Sequence, residues 1–352
     1  MKIAMTHVDL PNETKGGVAA QAHSLANALS DRGHDVTMFT FSPAYADCRY
    51  RVHQFSPPRA ARRLASFLLA ARLARTNFAA FDVLHTHGDN YLLRGRRPQV
   101  RTFHGSAHDE AASARTLRRR LYQALMVHLE RLGARAADVC VGVSEATRAR
   151  IPSVSEIIPC GVDTARFRPG PKADRPTILF VGTTGGRKRG QFLADVFTRE
   201  VRPRFPNAEL WSVAEKPMPG EGIINLGRVD TETLTDLFRR AWVFCLPSTY
   251  EGFGVPYIEA MASGTAVIAS PNPGAREVLR GGEDGLVVED GLLGAALVDL
   301  LGDPQRRRDL ECAGPVRAGD FSWERVAGRY EELYAGLIGT QPRRGPLPEL
   351  IL

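Results

Sequence analysis

Short apolar runs alternate with helical patterns along nearly the whole chain, and this alternation restricts the fold more than any other feature. Residues 2–7, Lys-Ile-Ala-Met-Thr-His, read as a buried strand. A polar loop with the pair Gly16-Gly17 follows. Val18 to Leu29 then places Val18, Ala22, Leu25, Ala26 and Leu29 on one helical face. Arg32-Gly33-His34 closes that helix, and Asp35 to Phe41 is a second strand. Strand, helix and strand at this spacing form a βαβ unit, whose crossover makes the strands parallel. Further strands are expected at Val83–His87, Val100–His104, Val139–Val143 and Glu156–Pro159. A long helix before Val139 carries a stripe of Leu117, Leu121, Leu125 and Leu132.

A cluster of Pro, Gly, Lys and Asp at 169–176 marks a linker. Beyond it the alternation restarts, with strands expected at Thr177–Val181, Ala208–Val213, Ile223–Leu226, Trp242–Leu246, Thr265–Ser270 and Leu286–Val288. A chain of 352 residues suits two domains at ~150 residues each. The expected fold is α/β, two Rossmann-like domains with parallel sheets facing a central cleft. A last helical pattern, Trp323 to Ile338, places Val326, Tyr330, Leu333 and Leu337 on one side.

Composition removes several classes. The five cysteines are widely spaced, with no C-x-x-C pair, so neither a disulfide framework nor a zinc ribbon is indicated. Cys140 and Cys245 sit inside apolar strands and are expected in the cores. The first residues are broken by His7 and Asp9 and do not form a signal peptide. The longest apolar run elsewhere, Leu64 to Ala71, is far short of the ~18–20 residues of a membrane span. A soluble, cytoplasmic protein is expected. No G-x-G-x-x-G follows the first strand, which argues against a nicotinamide dehydrogenase.

One stretch carries chemistry: Pro247-Ser248-Thr249-Tyr250-Glu251-Gly252-Phe253-Gly254-Val255-Pro256-Tyr257-Ile258-Glu259-Ala260. It lies between a buried strand and a short helix that ends at Ser263-Gly264. Pro256 suits the start of that helix and Gly264 its stop. A helix N-terminus offers free N–H groups and partial positive charge to a phosphate. Glu251 falls in the loop, and Glu259 is expected on the first helical turn, facing back along the loop.

With Pro-Ser upstream, this stretch resembles the Glu-x7-Glu motif of retaining GT-B glycosyltransferases, in the family called glycosyltransferase family 4. Other matches occur in order across residues 2–338. They are Gly16-Gly17, the strand ends at His87 and His104-Gly105, Val143-Ser144, Ile158-Pro159-Cys160-Gly161-Val162-Asp163 and Phe321-Ser322-Trp323. Cys160 stands where the family usually has Asn.

The resemblance implies a first domain at 1–168 on the acceptor side and a nucleotide-sugar-binding domain at 169–318. A helix at 319–338 would cross back to the first domain, leaving 339–352 as a mobile tail. Breaking the sugar–phosphate bond builds negative charge on the leaving diphosphate, which a placed cation and N–H donors stabilise. Lys188 is the expected cation, in Gly182-Thr183-Thr184-Gly185-Gly186-Arg187-Lys188-Arg189-Gly190. Thr183 occupies the family's Arg position, so Arg187 or Arg189 would supply the second cation. Glu259 would hold the ribose hydroxyls. Glu251 and the N–H groups of Phe253, Gly254 and Val255 would meet the sugar and phosphate. Gly16 and Gly17 would let the backbone approach the diphosphate. His104 would face the sugar from the first domain, and the Val229 backbone would contact the base. His85 and His87 have a scaffold role as an equal alternative.

No Asp-x-Asp sits at a strand end, so a bound metal is not required, and no cofactor is expected beside the nucleotide sugar. UDP is preferred by family frequency alone. The alternatives are a non-hydrolysing sugar-nucleotide epimerase and an inactive nucleotide-sugar-binding module. The net charge of +7 lies in the first half: residues 1–165 hold 22 basic and 14 acidic side chains. Between Asp47 and Asp82 there are seven Arg and no acid. As one helix, Pro58 to Arg75 would place Arg59, Arg62 and Arg63 opposite Arg72 and Arg75, which is no clean membrane face. The acceptor is a soluble small molecule or an acidic or lipid-linked one. Peripheral membrane contact through the basic first domain is a further expectation, and nucleic acid is not an expected partner.

Overall fold

A computed structural model describes residues 1–11, 16–56, 64–96, 98–106 and 117–340, with side chains from residue 121 in the last stretch and through Gly339. Arg59, Arg62, Arg63 and the tail from 341 lie outside the described residues.

Two parallel sheets carry the chain. The first holds β1 (Lys2–Thr6), β2 (Asp35–Thr40), β3 (Arg51–Gln54), β4 (Val83–Thr86), β5 (Gln99–Phe103), β6 (Val139–Gly142) and β7 (Glu156–Ile157), in the order 3-2-1-4-5-6-7. The second holds β8 (Thr177–Val181), β9 (Glu209–Val213), β10 (Ile223–Asn225), β11 (Val243–Leu246), β12 (Ala266–Ala269) and β13 (Leu286–Val287), in the order 10-9-8-11-12-13. Every expected strand is present. β3 is an addition, an edge strand of Arg, Val, His and Gln that is largely exposed and so has no apolar run to betray it.

The helices of the first domain are α1 (Val18–Asp31), α2 (Ala65–Ala74), α3 (Leu117–Ala136) and α4 (Glu145–Arg150). Those of the second are α5 (Gly190–Val196, prolonged by a π turn to Val201), α6 (Thr231–Arg240), α7 (Val255–Ala262), α8 (Pro273–Val278), α9 (Leu293–Gly302) and α10 (Pro304–Gly319). Two of the α3 stripe residues face solvent: Leu121 and Leu125 are 65% and 44% exposed. The buried positions described on α3 are instead Gln123, Gly133, Ala134 and Ala136, with Ala134 packing against Phe103 and Cys140 of the sheet.

The linker is pinned at its middle. The Lys172 ammonium donates to the carbonyls of Gly264 (2.6 Å) and Ala241 (3.0 Å) and to Thr265 Oγ1 (2.9 Å). Burial lowers its pKa to about 8.

The last helix, α11 (Trp323–Thr340), returns to the first domain and runs two residues beyond the expected Ile338. Val326, Ala327, Tyr330 and Tyr334 join Ile3, Met5, Leu25 and Val141 in that core. A fully buried apolar side chain contributes roughly 1.5–3 kcal/mol, so the contact is a firm one. Val162 N–H donates to Phe321 C=O (2.8 Å), pairing the approach to α11 with the end of the first domain.

Strand order reverses between β1 and β4 in the first sheet and between β8 and β11 in the second. In open α/β sheets ligands sit beyond the carboxyl ends of the strands at such switch points.

Candidate active site

The β8 and β11 loops meet at the second switch point. Lys188 closes a short 3-10 turn, Gly186–Lys188, after β8. Glu251 lies in the loop after β11. Lys188 Nζ is 2.7 Å from Glu251 Oε1, and Arg187 Nη1 is 3.0 Å from Glu251 Oε2. Ser248 Oγ donates to Glu251 Oε1 at 2.6 Å. Thr249 N–H donates to the Arg187 carbonyl at 2.9 Å, which ties the two loops together. Glu251 is 5% exposed. Burial pushes the Lys188 ammonium below the usual lysine value, against the pull of Glu251 and, more weakly, Glu259.

Of the two candidate second cations, Arg187 turns to Glu251 and to the Tyr250 carbonyl (2.8 Å). Arg189 takes a left-handed backbone (φ 54°) and turns away. Its guanidinium binds Asp290 at 2.5 and 2.7 Å, Ser270 Oγ at 3.0 Å and the Pro247 carbonyl at 2.6 Å. That carboxylate satisfies Arg189, which leaves Arg187 as the cation beside Lys188.

Gly254 caps α7 with φ 99°, a conformation that favours glycine. A Cβ there would also come within 2.4 Å of the Tyr257 ring. At the start of α7 Pro256 has no N–H and Tyr257 N–H donates to the Gly254 carbonyl (2.9 Å), so Val255 offers the first amide that the helix itself cannot pair. Glu259 corrects the sequence reading in one respect. No acid lies in the first turn of α7, because the helix begins at Val255 and Glu259 stands one turn in. It keeps some surface open, but surrounding protein removes most of its water and raises its carboxyl to about 7; Lys188 opposes that rise. Phe253 packs its ring edge-on against Phe321 in the second core, with centroids 5.4 Å apart, so only its backbone can serve a ligand.

In the first domain three histidines stack behind the facing strand ends. His85 and His87 ring centroids are 4.4 Å apart, and His87 Nδ1 lies 3.0 Å from His104 Nε2. His85 is a scaffold residue: its Nε2 meets Thr102 Oγ1 (2.8 Å) and its Nδ1 meets Tyr334 Oη of α11 (2.6 Å). Burial holds His85 and His104 down to about 3 and His87 well below its ordinary value. His104 is therefore neutral near pH 7, suited to hydrogen-bonding a sugar hydroxyl rather than neutralising phosphate.

The domains touch between His104 and Glu251. A Cβ on Gly252 would lie 2.9 Å from the His104 carbonyl oxygen. Ser144, which caps α4 by accepting from Thr147 N–H (3.1 Å), donates its hydroxyl to the Gly252 carbonyl at 2.7 Å. This contact joins the matched Val143-Ser144 pair to the glutamate loop. Sequence reasoning noted both without linking them, since residues 108 positions apart share no local pattern. Asn272 was also missed. Its amide donates to the Ser248 carbonyl and to Tyr257 Oη, each at 3.1 Å, bracing the loop from behind.

Gly17 caps α1, and among the described residues nothing lies within 4 Å of where its Cβ, or that of Gly16, would stand. Val229 packs half-buried against the second core, just before Asp230 caps α6. A cavity of about 620 Å³ opens beside Thr249, lined by Glu145 and Ala146 of the first domain and by Asn272, Arg276 and Glu277 of the second. Neither Lys188 nor Glu259 lines it, so the charged cradle is a separate feature.

Residues 15–166 match the family described as "Glycosyltransferase Family 4", and residues 175–303 match "Glycosyl transferases group 1". The chain is 28% identical to the phosphatidyl-myo-inositol mannosyltransferase of Mycolicibacterium smegmatis, over 93% of this chain and 92% of that one. It is 32% identical to the GDP-mannose-dependent alpha-(1-6)-phosphatidylinositol monomannoside mannosyltransferase of the same organism, over 59% of this chain and 64% of that one. Its fold matches sucrose-phosphate synthase from Thermosynechococcus elongatus with a TM-score of 0.80 at 24% identity, covering 97% and 100% of the two chains. Two parallel-sheet domains with a charged cradle at the second switch point, matched along both halves, lead to one assignment: the chain belongs to the group 1 glycosyltransferases of family 4 and has their GT-B fold.

Proposed function

We propose that this enzyme moves a hexose from a nucleoside diphosphate hexose to an acceptor hydroxyl, with retention at the anomeric carbon and no metal at the reaction centre. The observation that carries this reading is the Lys188–Glu251 pair, 2.7 Å apart, beside the α7 N-terminus. The donor diphosphate would lie on the α7 amides and Lys188, with Arg187 adding charge. Lys188 would then exchange its carboxylate partner for phosphate. These groups act as preorganised donors on the charge that grows as the glycosidic bond breaks. Glu259 would hold the ribose, Val229 the base, and neutral His104 the sugar from the facing domain. Retention is assigned by family likeness, through front-face attack in which the leaving phosphate takes the acceptor proton.

UDP is the donor nucleotide that family frequency favours. A second reading, GDP-mannose, is favoured by the relatives named as mannosyltransferases, one of them as GDP-mannose-dependent. A lipid-linked acceptor is supported by Leu64, Leu68, Leu92, Leu121, Tyr122 and Leu125, all exposed in the first domain among the described residues. They are six of the nine large apolar side chains exposed among the described residues, the others being Ile224, Leu292 and Val316 of the second domain. No described helix is long and apolar enough to cross a membrane, so contact would be peripheral.

The test is a calorimetric screen of UDP-, GDP- and dTDP-hexoses, then transfer assays with the best donor in excess EDTA. Products would be read by the anomeric coupling constant. An α-linked product from an α-donor that survives EDTA supports the reading; an inverted product, or transfer abolished by EDTA, refutes it.

A further inference from the structure

Away from the cradle, α1 meets the loop joining β2 to β3 at three metal-binding side chains. His23 is buried on α1. Asp47 and Cys48 lie on the loop, the first exposed and the second half-buried. One donor atom from each falls within 4.8 Å of the other two. From this constellation we propose a binding site for one zinc ion, with water as the fourth ligand.

The ligand chemistry is that of zinc, which combines imidazole nitrogen, thiolate sulfur and carboxylate oxygen in one tetrahedral shell. Zinc bonds of about 2.0 Å to nitrogen and oxygen place those two atoms about 3.3 Å apart at a tetrahedral angle. His23 Nε2 and Asp47 Oδ2 are already 3.3 Å apart. Cys48 Sγ lies within 4.8 Å of a ring nitrogen of His23 and a carboxylate oxygen of Asp47.

The surroundings orient each ligand. Tyr50 Oη lies 2.6 Å from His23 Nδ1, which fixes the imidazole and leaves Nε2 for the metal. Tyr45 N–H donates to Cys48 Sγ at 3.4 Å, an amide contact that suits a thiolate. Asn27 Nδ2 lies 3.2 Å from His23 Nε2, which without metal also faces Asp47 Oδ2 at 3.3 Å. On metal binding it retains its bond to the Asp47 carbonyl at 3.1 Å.

The charges balance. One carboxylate and one thiolate match the dication. The nearby Arg49 and Arg166 are paired with Asp31 and Asp163. As the zinc–sulfur bond forms, the Cys48 thiol proton leaves to solvent, and the water already on the ion stays as fourth ligand. Asp47, with 63% of its side chain exposed, provides the entry. The bound ion would clamp the loop to the helix that begins after Gly17.

The test uses the full chain stripped of metal by chelation and titrated with cobalt(II), then with zinc in competition. The expected result is one equivalent of cobalt with a thiolate-to-cobalt charge-transfer band. Cys48→Ser should lose that band, and both it and Asp47→Asn should bind zinc at least 10-fold more weakly. Cys312→Ser, at an exposed cysteine elsewhere, should match the parent chain. Zinc should raise the melting temperature of the parent and not of Cys48→Ser. The proposal is overturned by the absence of a charge-transfer band, by parental zinc affinity in Cys48→Ser, or by loss of the band in Cys312→Ser.

Discussion

Lys188 Nζ and Glu251 Oε1 stand 2.7 Å apart, on loops from two adjacent strands of the second sheet. Each loop alone is ordinary. Together they bring a partly desolvated ammonium and a buried carboxylate to the loop that leads into α7. Lys188→Ala should lower kcat/KM about 100-fold to 1,000-fold, the usual cost of removing one charge-stabilising donor. Arg187 remains on Glu251 at 3.0 Å, so the variant should stay folded. Steady-state kinetics beside a circular-dichroism melt checks both; near-parental kcat/KM in a folded variant would count against the assigned role.

Glu259 should make stability and donor binding respond oppositely to substitution. Its folded carboxyl titrates at about 7, above the ordinary 4.5. The folded chain thus holds a proton that the unfolded chain releases between those values. Its stabilising contribution is full below about pH 4.5 and is lost as pH rises through about 7. Glu259→Gln removes this loss. In urea unfolding the variant should gain on the parent between about pH 5 and about pH 8, by on the order of 3 kcal/mol. Donor affinity should fall in the same variant, since the amide presents one acceptor oxygen where the carboxylate presents two.

Domain contact at Gly252 predicts a variant impaired in closure. Gly252→Ala would drive a Cβ to within 2.9 Å of the His104 carbonyl. Neither core loses a contact, so the melting temperature should change little. Turnover should fall about 10-fold or more, because closing the cleft completes the site. Small-angle scattering of the variant with saturating donor should show a more open chain than the parent.

The crossing helix should matter to the first domain out of proportion to its position. Tyr334 Oη lies 2.6 Å from His85 Nδ1, and Tyr330 Oη lies 2.8 Å from Thr102 Oγ1. All four side chains are buried. Tyr334→Phe leaves the imidazole nitrogen without its partner, which costs about 1–3 kcal/mol. Denaturant unfolding would measure that loss.

Much of this was legible in the sequence. Strands such as Val243–Leu246 are continuous apolar runs, as buried parallel strands must be. The glutamate loop announced itself through Pro, Gly and spacing. What stayed hidden depended on geometry between distant residues. Arg187, Lys188 and Arg189 are consecutive cations, and only the 3-10 turn and the left-handed Arg189 decide which two face Glu251. Leu121 and Leu125 repeat at helical spacing as core residues do, yet they are exposed while Gln123 and Gly133 are buried. Lys172 looked like linker polarity until the carbonyls of Ala241 and Gly264 were placed around it.

The most direct measurement is a crystal structure with a non-transferable 2-fluoro nucleoside diphosphate hexose. The account predicts the diphosphate on the first amides of α7 within hydrogen-bonding distance of Lys188 Nζ, with the ribose on Glu259. A nucleotide lodged elsewhere, with Lys188 still joined to Glu251 and touching no phosphate, would contradict it.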